Sequence, residues 1–198
     1  MKKIMYLGAM LVLTMCVSNA FAQDAMPPET KSTTSMKKNA DSKFMMTAAT
    51  SGMNEVALSN TAVSKSTNEE VKQFAQKMID DHTAAGDELK TLASGKSVML
   101  PAEADAKHMA ANTKLQTLSG NDFDMEYIKW MVKDHEKAVA LFTKESTGGK
   151  DEEAKAWAAK TLPTLQGHLD MAKSMMAKMS GMKSDSKMTD KKMDGMNH

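Results

Sequence analysis

The sequence predicts an all-α fold, a four-helix bundle in which two helix hairpins are joined by a crossover carrying a short extra helix. Apolar residues recur at alternating spacings of three and four along four long stretches, which is the pattern of amphipathic helices. Capping residues and glycine turns separate those stretches, and none alternates with the period of two that a half-buried strand requires. The middle two long stretches are too far apart for a tight turn, so a crossover must join the pairs.

The first helix is expected from about Ser42 to Ser64. The second follows Thr67-Asn68, where Asn68 can cap and Glu69-Glu70 suit the positive end of the helix dipole, and ends near Ala93 before Ser94-Gly95. A short helix follows Pro101, from Ala102 to about Leu118, and Ser119-Gly120 stops it. The fourth spans about Asp122 to Glu145, before Thr147-Gly148-Gly149. The fifth starts near Asp151-Glu152-Glu153 and runs to about Met179, with Pro163 expected to kink it by removing an intrahelical bond. Hairpin, crossover, hairpin is the connectivity of a ferritin-like bundle. A short internal repeat supports the pairing: Asn68-Glu69-Glu70-Val71-Lys72-Gln73-Phe74-Ala75 resembles Asp151-Glu152-Glu153-Ala154-Lys155-Ala156-Trp157-Ala158, and Met78-Ile79-Asp80-Asp81-His82 resembles Met131-Val132-Lys133-Asp134-His135.

Outside the bundle, expected over 41–179, the composition changes. Residues 1–22 read as a secretory signal: Lys2 and Lys3 precede an apolar run from Ile4 to Val17, and Ala20-Phe21-Ala22 offers a cleavage site. Residues 23–40 form a polar leader, and 180–198 a Met- and Lys-rich tail, both expected to be disordered. Export to the periplasm follows as an expectation. An outer-membrane lipoprotein cleaved before Cys16 is the lesser alternative, because Met15 is bulky where such a signal takes a small residue.

Composition excludes several function classes. Cys16 is the one cysteine among 198 residues and lies in the signal, so the mature chain has no disulfide, thiolate metal site or cysteine nucleophile. After signal removal 24 lysines face 25 acidic residues, a charge of −1, and the chain contains no arginine, so nucleic acid is not an expected partner. The mature form has no apolar run near the roughly 20 residues of a membrane span. The glycine-rich fingerprints of nucleotide sites and the G-x-S-x-G elbow are absent.

The helical stripes carry the chemistry. His82 falls in line with Val71, Ala75, Met78, Ala85, Leu89 and Leu92, and His135 with Ile128, Met131, Ala138 and Phe142. His168 shares a face with Ala154, Ala158, Thr161, Leu165, Ala172 and Met175, and Glu55 one with Phe44, Ala48, Ser51, Leu58 and Ala62. All four lie within about a turn of the midpoints of their helices, so one layer of the bundle can hold them. A buried carboxylate is costly unless paired or metal-bound, and three imidazoles beside it supply donors or a coordination shell. Glu136 can enter from the edge of the same helix as His135. Asp81 and Asp134 suit solvated or supporting positions, and His108 an exposed one.

A di-iron site asks for Glu-x-x-His pairs, whereas Ile79, Val132 and Leu165 stand three residues before the histidines. One zinc or copper ion suits the set better. A second candidate is the tail. Methionine occurs 22 times in the chain. Met176, Met179, Met182, Met193 and Met196, with His198, offer the soft donors that copper in its lower oxidation state prefers.

Three segments together resemble a known family: Met78-Ile79-Asp80-Asp81-His82, the run Met131-Val132-Lys133-Asp134-His135-Glu136-Lys137-Ala138-Val139-Ala140-Leu141-Phe142, and Thr161-Leu162-Pro163-Thr164-Leu165-Gln166-Gly167-His168-Leu169. Over about residues 41–176 the chain is similar to the bacterial envelope family called domain of unknown function 4142. The resemblance implies an exported ferritin-like helical bundle and carries over His82, His135 and His168. It implies no established reaction, and the methionine tail lies outside it. The expected function is thus an exported, non-enzymatic bundle that binds copper or zinc. The alternatives are a metal-free structural or stress-related envelope protein, and a metalloenzyme of oxygen or peroxide chemistry.

Overall fold

Five helices form in the order the periodicity predicts: α1 (Ala40–Lys65), α2 (Glu69–Gly95), α3 (Ala106–Thr117), α4 (Gly120–Gly148) and α5 (Glu152–Asp194). This computed structural model describes the backbone of residues 40–194 and the side chains of residues 40–181. The expected signal, the leader through residue 39 and the last four residues lie outside that range. Among the described residues there is no strand and no helix long and apolar enough to cross a membrane.

Local chemistry sets the boundaries. The Asn68 side chain accepts hydrogen bonds from the backbone N–H groups of Glu70 and Val71 and so caps α2. Asp151 caps α5 by accepting from the Ala154 N–H at 2.9 Å. The short helix starts at Ala106 rather than Ala102, because Asp105 takes the capping role by accepting from the His108 N–H. Asn54 of α1 accepts the Asp105 backbone N–H and donates its amide to the Asp105 carboxylate, which holds the entry to α3 against α1. α5 continues to Asp194, beyond the expected end near Met179. After Pro163 no further proline interrupts it, and a lone Gly181 costs a helix only about 1 kcal/mol.

The principal packing pairs are α1 with α2 and α4 with α5, two hairpins whose turns are residues 66–68 and 149–151. Two apolar clusters fix the helix directions. One joins Leu58 and Ala62, near the end of α1, to Val71 and Phe74 at the start of α2, Leu115 of α3, Phe123 of α4 and Met179 of α5. The other joins Phe44 at the start of α1 to Leu89 and Ala93 of α2, Phe142 of α4 and Trp157 of α5. Hence α2 and α4 run in the same direction, and the crossover through α3 must travel the length of the bundle between them. Phe44, Phe142 and Trp157 pack edge-on or tilted, with ring centres 5.0 to 5.8 Å apart.

Between the two clusters every long helix contributes a polar residue: Glu55, His82, His135 and His168. The core is therefore two apolar clusters with an ionisable layer between them.

Candidate metal centre

The stripe that aims His82 inward on α2 includes buried Val71, Ala75, Met78 and Leu89, while Ala85 and Leu92 are partly buried. Equivalent stripes bury His135 at 0% and His168 at 1% exposure, with Glu55 at 1%. The ring centres of the three histidines form a nearly equilateral triangle with sides of 5.3, 5.4 and 5.5 Å. Each ring offers one nitrogen to a set lying within 4.8 Å of one another. A tetrahedral ion about 2.05 Å from each nitrogen would separate ligand nitrogens by about 3.3 Å and ring centres by about 5.2 Å. His135 Nε2 and His168 Nδ1 stand 3.3 Å apart.

The partners of the outer nitrogens determine what faces inward. His135 Nδ1 lies 3.0 Å from the Met131 carbonyl oxygen, which can only accept, so Nδ1 carries a proton. His168 Nε2 lies 2.7 Å from an oxygen of Asp81 and donates to that carboxylate. In the neutral state both inner nitrogens then present lone pairs to each other, an arrangement that a shared cation relieves. Burial favours that neutral state. It pushes His135 below the usual imidazole range, and it brings His168 to about 4 despite the opposing Asp81 carboxylate.

Glu55 and His82 form a different pair. Glu55 Oε2 is 2.8 Å from His82 Nε2, and Oε1 is 3.6 Å from His135 Nδ1. Burial pushes the Glu55 carboxyl upward, but the facing His82 and His135 outweigh it and hold it at about 2. Burial pushes His82 downward, and the same carboxylate reverses the effect and raises it. The contact is short without being well directed, so both Glu55 oxygens and His82 Nε2 are buried without an aligned hydrogen bond. His168 thus has Asp81 and His135 has a carbonyl, acceptors of the kind that orient metal-ligating histidines, while His82 faces Glu55 as an ion pair.

A groove of about 1190 Å³ runs along α1 and α2 beneath residues 97–104 and reaches this layer. Glu55 and His82 are on its wall, whereas His135 and His168 are not.

The other expected site residues lie elsewhere. Glu136 is exposed and pairs with Lys173 at 3.0 Å, since one residue along a helix turns it about 100° from His135. Met179 is buried in the apolar cluster and Met176 packs against it, so these two act as core side chains. Met182 and Met193 lie on α5 beyond the described side chains, and Met196 and His198 lie outside the described residues. His108, expected to be exposed, is buried instead. Its Nδ1 meets Asp105 at 2.8 Å and its Nε2 meets Asp134 at 2.9 Å, beside the Trp130 ring. The Asp105-x-x-His108 spacing at a helix start was the available signal for the first contact, but the second depends on how α3 docks on α4. Asp134 therefore serves His108 and Lys137, while Asp81 supports His168.

A family model described as "Domain of unknown function (DUF4142)" matches residues 25–175. The structure is similar to a DUF305 fragment from Deinococcus radiodurans, with a TM-score of 0.63 and 13% identity over 71% of this chain and 97% of that one. It is also similar to the "putative secreted protein DUF305" from Streptomyces coelicolor, with a TM-score of 0.62 and 15% identity over 71% and 92% of the two chains. No curated protein matches the sequence.

Proposed function

For a chain that belongs to the DUF4142 family, we propose an exported, non-enzymatic bundle that holds one zinc or copper ion through His82, His135 and His168. The observation that carries this reading is the 3.3 Å approach of His135 Nε2 and His168 Nδ1, whose outer nitrogens are both engaged by acceptors. Three imidazoles without thiolate or thioether suit Zn(II) or Cu(II). In this reading Glu55 orients His82 and balances the charge of the ion, and Asp81 orients His168. The absence of Glu-x-x-His pairs argues against oxygen or peroxide chemistry. Export is supported by the signal-like residues 1–22 and by the name of the Streptomyces relative.

X-ray absorption of the zinc-loaded mature protein tests the ligand set. The expected first shell has three imidazole nitrogens at about 2.0 to 2.1 Å. In the copper(I)-loaded protein, sulfur scatterers in place of imidazole would instead assign the ion to methionines.

A further inference from the structure

The groove reaches the histidine layer from one side only. His82 is 9% exposed, against 0% for His135 and 1% for His168, and it shares the groove wall with Glu55. A further ligand of an ion held by the three rings can therefore arrive beside Glu55 and His82 through this groove. The groove lining includes the apolar Ala48, Val56, Leu89, Leu100 and Met99 beside polar residues such as Ser51 and Thr83. Its volume of about 1190 Å³ exceeds what one water or hydroxide needs and lies just above the roughly 300 to 1,000 Å³ of small-molecule sites. Both Glu55 oxygens and His82 Nε2 are buried without an aligned hydrogen bond, and Trp157 on the same wall keeps a buried indole N–H without an acceptor. Groups of this kind call for a polar partner.

We infer that the groove binds a small amphiphile whose protic, metal-coordinating head lies at Glu55 and His82 and whose apolar tail lies along the groove. This inference rests on the metal-binding reading. The head carries a hydrogen-bond donor for the Glu55 side-chain oxygens, which are buried without an aligned donor, and an oxygen or nitrogen lone pair for the ion. The tail gains the usual free energy of leaving water for apolar walls.

The probes are octanohydroxamic acid and acetohydroxamic acid, which share a protic chelating head and differ in tail length. Each is titrated into the cobalt(II)-loaded mature protein while the visible spectrum of the bound ion is followed. The long-chain probe is expected to shift the spectrum at a concentration 10- to 100-fold lower, on the order set by partial burial of its methylenes. Gly86 lines the groove one turn beyond His82, and a Cβ there meets nothing within 4 Å. Gly86→Leu is therefore expected to abolish the chain-length preference and leave the cobalt spectrum unchanged. Equal response to both probes with cobalt bound, cobalt stripped from the protein, or a preference that survives in Gly86→Leu would overturn the groove assignment while leaving the metal reading intact. Failure of cobalt to bind at all would overturn the metal reading and this inference with it.

Discussion

His82 and Glu55 form the most consequential pair in the core, because a buried carboxylate depends on the cation beside it. In the metal-free protein, His82→Gln leaves Glu55 without its main partner and is expected to destabilise the fold by about 3 to 5 kcal/mol. The double variant His82→Gln/Glu55→Gln is expected to lose less than the sum of the two single losses, which urea unfolding of the four proteins measures. The inward direction of Glu55, His82, His135 and His168 was legible because each falls on an apolar stripe of its own helix. The protonation pattern was not. It depends on the Met131 carbonyl and on Asp81 of a different helix, and neither contact is encoded in the spacing of the histidines. Glu136 illustrates the opposite error: adjacency in sequence placed it near the layer, but helical rotation sends it to solvent.

The last turn of α4 carries its own titrating group. Burial, the nearby Asp41 and Asp151 raise Glu145 to about 7, and Asp41 also accepts the Lys150 N–H, which ties the start of α1 to this turn. The folded state thus favours protonated Glu145 more than the unfolded chain does, so this contribution to stability is full below about pH 4.5 and is lost as the pH rises through about 7. Glu145→Gln is expected to be about 1 kcal/mol more stable than the parent at pH 8, the full shift being reduced by solvent screening, and to flatten the decline between pH 5 and 8 in thermal melts. Gly149 at the same turn has no room for a side chain, since a Cβ would lie 2.7 Å from the Glu145 carbonyl oxygen. α3 depends on His108 in a similar way. Asp134→Asn weakens one of its two carboxylate contacts, and faster amide exchange confined to residues 106–117 is the expected result. Helix number and order were readable from periodicity and caps. The docking of α3 and the length of α5 were not, because the first is a tertiary contact and the second follows from the absence of a strong stop signal.

Across the whole molecule, the polar layer divides an apolar core in two, an arrangement that a bound ion would reinforce by linking α2, α4 and α5. An ion that binds the folded state alone, present at about 100 times its dissociation constant, adds about 2.7 kcal/mol. For a bundle of this size that corresponds to a rise in melting temperature of about 5 to 10 °C. The all-α architecture and the family were legible from stripes and motifs spread over most of the chain, whereas the groove arises only where the crossover segment lies over α1 and α2. The most direct measurement is the stoichiometry of zinc and copper binding, by competition with a chelator, for the mature protein, His135→Gln and Glu136→Gln, with circular dichroism to verify that each remains helical. One ion per chain in the parent and Glu136→Gln, and none in His135→Gln, is the predicted result. Unchanged binding in folded His135→Gln, or no binding by the parent, would contradict a metal centre at the three histidines.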